Sequence, residues 1–98
     1  MRIKDFIVQT FDLDPKTRVC GTNMSLDYAI SHPDQIHGLE VGSDGSFREQ
    51  GEVQNSVTLE QIYSVVKENQ ILSVDIEDSY RYQEITKLVR FDGKLLII

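Results

Sequence analysis

The residue pattern predicts an α+β domain, with three short helices packed on a small, mainly antiparallel sheet that finishes in a C-terminal β-hairpin. Three observations carry this. Residues 57–76 read as a capped helix running into a strand. Short apolar runs elsewhere are separated by Gly, Asn, Asp and Pro, the residues that turns require. Near the end, Asp92-Gly93 stands between two apolar runs, which is the strongest short-range hairpin signal.

Ile3, Phe6, Ile7 and Phe11 form one face of a first helix, which ends at Asp12-Leu13-Asp14-Pro15 because proline disfavours helix in the residue before it. Residues 17–20 make a short strand before the turn Gly21-Thr22-Asn23. Ser25 caps a second helix over residues 26–31, with Asp27 placed favourably for the helix dipole. His32 must end that helix, since Pro33 follows. Residues 38–50 read as a hairpin: Leu39 and Val41 alternate with Glu40, Gly42-Ser43-Asp44-Gly45 turns, and Phe47 begins the return. Residues 52–56 are a polar connection.

The third helix is the one around which the chain is organised. Thr58 and Gln61 have capping-box spacing, and Val57 with Ile62 the spacing of a hydrophobic staple. Leu59, Ile62, Tyr63 and Val66 line one face, and Asn69 offers a left-handed stop. Leu72, Val74 and Ile76 then alternate with Ser73, Asp75 and Glu77, the period of a strand buried on one side. Residues 80–91 fit a helix face through Tyr82, Ile85, Leu88 and Val89, with Ser79 as its cap. The Asp92-Gly93 turn decides for strands, because it pairs Phe91 with Lys94 and Val89 with Leu96. Residues 95–98 are apolar on both faces, so this strand belongs inside the sheet. Helices cover one side; the other is left to a partner or to a second copy in a homodimer.

At 98 residues the chain is expected to be one domain, residues 1–98, burying roughly two-thirds of its unfolded surface. An apolar content of 40% and a charged content of 27% fit a folded protein rather than a disordered one. The lone Cys20 excludes an intrachain disulfide and suits a reducing compartment. No apolar run is long enough for a membrane span or a signal-peptide core, so the expected location is the cytoplasm.

The net charge of −6 is unevenly distributed. Residues 1–18 sum to +1 and residues 67–98 to −1. Residues 19–66 hold Arg48 against Asp27, Asp34, Glu40, Asp44, Glu49, Glu52 and Glu60, which is −6. Such a stretch repels phosphate and attracts basic proteins, less strongly as salt rises. The expected partner is therefore a basic protein, met by Asp27, Asp34, Glu40, Asp44, Glu49 and Glu52. The competing account of these carboxylates is a solvated surface that keeps the protein soluble.

Catalytic and metal chemistry find little to build on, and neither a metal nor another cofactor is expected. His32 and His37, with Cys20 and Asp34 as the nearest recruits, match no zinc spacing. Asp12-Leu13-Asp14 has Lys16 where a calcium loop needs an oxygen ligand. Gly42-Ser43-Asp44-Gly45 carries a carboxylate and leads into a strand, so it is a turn rather than an anion cradle. Gly93-Lys94 lacks the remaining residues of a phosphate loop. No Ser sits in a nucleophile elbow, and Asp75, Glu77 and Asp78 read as solvated carboxylates. The chain is not expected to be an enzyme. Tyr80, Arg81, Tyr82, Lys87 and Arg90 form the one aromatic-basic group, the alternative being a surface that stacks single-stranded bases. Overall charge opposes it, because phosphate contacts dominate such binding.

The opening R-I-K-D-F-I-V-Q-T-F-D-L-D-P-K-T-R-V, residues 2–19, resembles the first helix and strand of small phage-encoded proteins. The resemblance implies a sharper function: an acidic phage inhibitor occupying a basic surface of a host protein, one that normally holds nucleic acid.

Overall fold

The computed structural model describes residues 1–67, 70–76 and 81–97, with side chains at all of these except 74–76 and 81–83. Three α-helices, α1 (Ile3–Thr10), α2 (Leu26–Ser31) and α3 (Leu59–Val65), pack against strands β1 (Val19–Gly21), β2 (His37–Val41), β3 (Ser46–Glu49), β4 (Ser73–Ile76), β5 (Arg81–Glu84), β6 (Leu88–Phe91) and β7 (Lys94–Ile97). The expected α+β class and three helices are present. The sheet is mixed, its seven strands lying in the order β5-β4-β3-β2-β1-β7-β6. β1–β2, β2–β3, β4–β5 and β6–β7 are antiparallel, while β3–β4 and β1–β7 are parallel. The parallel pairs have a physical origin: α3 carries the chain back between β3 and β4, as a parallel crossover must. β7 then returns from its hairpin to lie beside β1.

The hairpin formed by β6 and β7 has the expected register, with Phe91 opposite Lys94 and Val89 opposite Leu96. Asp92 (φ 51°) and Gly93 (φ 72°) both adopt the left-handed conformation that a two-residue primed turn demands. β7 lies between β1 and β6, and alternation sends its side chains into two cores. Leu95 and Ile97 join Val19 in the main core, with Ile3 and Phe6 from α1 and Leu59 and Ile62 from α3. Leu96 faces the other way, against Cys20, Ala29 of α2 and Ile36. The side of the strand left open by the sequence is therefore covered by α2 of the same chain.

The sheet is rolled. If it were flat, β5 and β6 would stand six strand spacings apart, roughly 29 Å. Yet only residues 85–87 separate Glu84 from Leu88, a reach of roughly 14 Å. Helix α1 crosses the seam this leaves. The amino group of Met1 pairs with Glu84 at the end of β5 (2.6 Å), and Arg90 of β6 holds Asp12 just beyond the other end of the helix (2.8 Å).

A second device opens the sheet between β1 and β2. Their pairing runs only through Cys20–Gly38 and Gly21–His37. Beyond it the strands part, and residues 56–58 enter the gap. The amide of Val57 donates to the Leu39 carbonyl and that of Val19 to the Val57 carbonyl, both at 2.8 Å. The Ser56 hydroxyl accepts from the Leu39 amide at 2.7 Å and donates to the Val19 carbonyl. Arg18 braces the insert through the Ser56 carbonyl, 2.6 Å away. Gly38 is required at this corner, since a Cβ there would lie 2.7 Å from the Gln50 carbonyl oxygen and nearer still to that of Glu52.

Two local expectations are corrected. Helix α1 buries Ile3, Phe6 and Thr10, while Phe11 is 75% exposed and Ile7 40%. The Thr10 hydroxyl makes this burial acceptable, donating to the Phe6 carbonyl at 2.8 Å and lying in hydrogen-bond contact with the Tyr63 hydroxyl. Helix α3 has both bonds of its capping box but ends at Val66, which is extended and buried, rather than running on to a stop at Asn69. β-branched Val65 and Val66 hold a helix poorly, and Val66 is drawn into the core. Asn69 itself lies outside the described residues, as do Glu77, Asp78, Ser79, Tyr80 and Ile98.

Candidate functional site

The acidic residues of the middle region reach solvent by three routes. Asp27 sits in the first turn of α2, where Ser25 caps the helix by accepting from the Tyr28 amide. Asp34 lies in the one-turn 3₁₀ helix Pro33–Gln35 that follows, accepting from the Gln35 side-chain amide at 3.1 Å. Both residues are exposed.

The β2–β3 hairpin carries the next three. Glu40 projects from the solvent side of β2, directly opposite Arg48 in the register. Asp44 closes the turn, its Oδ1 accepting from the Ser46 hydroxyl (2.7 Å) and the Ser46 amide (3.1 Å). Those two donors, the hydroxyl first, hold its carboxyl below the usual aspartate range. Glu49, at the far end of β3, lies 3.4 Å from Nδ1 of His37. Glu52 accepts from the Gln54 side chain at 2.6 Å.

The structure thus exposes all six expected contact residues without gathering them into one cluster. Glu40 and Asp44 share an open depression of about 470 Å³ with Val41, Gly42, Ser43, Ser46 and Arg48. Asp27 and Asp34 belong to the α2 arm, and Glu49 and Glu52 to the opposite end of the hairpin from Asp44.

The residues weighed for metal chemistry are dispersed. Cys20 is fully buried, and burial pushes its thiol up. His32 is exposed and donates from Nδ1 to the Tyr28 carbonyl at 3.0 Å, while His37 faces Glu49. Among the described residues, no three His, Cys, Asp or Glu side chains converge as a metal would require. Among the same residues, no helix is long and apolar enough to cross a membrane.

The aromatic-basic group is only partly described. Tyr80 lies outside the described residues, and so do the side chains of Arg81 and Tyr82. Lys87 is exposed, but Arg90 is committed: its guanidinium bonds both oxygens of Asp12 and the Gln9 carbonyl.

One arrangement was not anticipated. Tyr28 and His32 stack face to face, with ring centroids 3.9 Å apart and planes 10° from parallel. Their signal was the i, i+4 spacing, which puts two rings on one flank of a helix. Comparison with protein-family models, curated proteins and solved structures finds no match for this chain.

Proposed function

We propose that this protein is a small acidic binding module, not an enzyme, that docks on the basic surface of another protein. In its sharper form it is a phage-encoded inhibitor covering a host surface that otherwise holds nucleic acid. One observation carries the reading: every carboxylate of residues 19–66 is exposed, with a single arginine among them. A surface of this kind steers basic partners by long-range attraction. The aromatic-basic alternative gains no comparable support, since Arg90 is held by Asp12.

Capture on the immobilised protein from a bacterial lysate, across a salt series, tests this. The expected result is a basic protein that is retained at low salt, elutes as salt rises, and loses its grip on DNA when the acidic protein is added. Retention of single-stranded nucleic acid in place of a protein would overturn the proposal.

A further inference from the structure

We infer that the basic partner is met on the outer face of α2, and that the group received there is an arginine side chain. This rests on the reading of the protein as an acidic binding module and names its contact surface. Met24, Tyr28 and Ile30 are each more than 40% exposed, a concentration of large apolar side chains on a six-residue helix and its entry. Tyr28 carries the stacked His32, whose ring is fixed by its bond to the Tyr28 carbonyl. Asp27 precedes Tyr28 directly, and Asp34 follows two residues after His32, both exposed. No lysine or arginine occurs anywhere between Arg18 and Arg48.

A guanidinium answers both halves of this surface. Its planar face stacks on aromatic rings, while its fork of N–H donors matches carboxylate geometry. The ammonium of lysine, a compact and strongly hydrated charge, uses only the carboxylates well. Another exposed apolar stripe, Ile7 and Val8 of α1 with Phe11 just past its end, lies in a part of the chain near charge balance, and nothing there marks what would cover it.

The test is an amide-shift titration of the labelled full chain with an oligoarginine peptide and an oligolysine peptide of equal length. The expected outcome is that the largest shifts fall within residues 24–34 and that arginine binds more tightly than lysine. Tyr28→Ala should weaken the arginine peptide about two- to fivefold, the range of an exposed cation–π contact, and Tyr28→Phe should restore it. Two results would overturn the α2 surface while leaving the acidic-module reading standing. One is shifts confined to the β2–β3 hairpin, and the other is equal binding of both peptides by parent and Tyr28→Ala. Failure of both peptides to bind at low salt would overturn the α2 surface and the acidic-module reading together.

Discussion

Arg90 grips Asp12 with two parallel hydrogen bonds, 2.8 and 3.0 Å long, joining strand β6 to the end of helix α1 across the seam of the rolled sheet. The guanidinium holds the Asp12 carboxyl below its ordinary range, and the Met1 amino group does the same to Glu84 at the other end of the helix. Both are depressed carboxylates, so their contribution to stability is complete above the unfolded-state pKa, about 4, and is lost as pH falls through the lowered values. Thermal midpoints should therefore hold level between neutrality and pH 5 and fall below about pH 4. Asp12→Asn should flatten part of that fall. Both pairs are solvent-exposed, so added salt should shrink the effect; an acid profile that Asp12→Asn leaves unchanged would place the loss elsewhere.

Ser56 is the residue whose loss should cost most for its size. Ser56→Ala leaves the Leu39 amide and the Val19 carbonyl buried without their partner, a penalty of about 1–3 kcal/mol. Ser64→Ala, on the exposed face of α3, should stay within about 0.5 kcal/mol of the parent. Urea denaturation of the two variants side by side measures the contrast.

Helix α3 should respond at both its cap and its buried face. Thr58→Ala removes the capping box and should cost about 1 kcal/mol. Ile62→Ala opens a cavity in the main core and should cost about 2–5 kcal/mol. A denaturation midpoint that neither change moves would mean that the helix is not anchored as described.

Removing residues 95–98 should abolish cooperative melting. Leu95, Leu96 and Ile97 are all buried, each contributing roughly 1.5–3 kcal/mol, a sum comparable with the roughly 5–15 kcal/mol stability of an ordinary domain. Among the described residues, their strand also supplies the only partner of β6 in the sheet. Calorimetry of the truncated chain checks this; a melt within a few degrees of the parent would show that β7 is dispensable.

What was legible in the sequence was local. Ser25 and Thr58 cap their helices as their spacing indicates, and the Asp92-Gly93 turn brings Val89 opposite Leu96. These features depend on residues a few positions apart, where sidechain chemistry and backbone geometry leave few choices. Partners distant in sequence were not legible. Nothing in Val19-Cys20-Gly21 announces that β7 will lie alongside it, and a serine in a polar connector does not reveal that it will wedge two strands apart. Helix α1 shows a subtler limit: Thr10 displaced Phe11 from the core because the Tyr63 hydroxyl, from another helix, could satisfy it. For the candidate site, exposure of the carboxylates was readable from polarity, whereas their dispersal over α2 and the β2–β3 hairpin depended on the fold.

The parallel pairing of β1 with β7 also governs the order of events during synthesis. Val19 lies opposite Leu95 and Gly21 opposite Ile97, so β1 waits on a strand made long after it. Until β7 has left the ribosome, β1 lacks that neighbour, and α2 and α1 have no complete surface to settle on. Pairings between such distant positions are slow to form, because the loop must close before any contact rewards it. Until β7 emerges the chain therefore keeps apolar segments uncovered, the condition in which chaperones bind and aggregation begins.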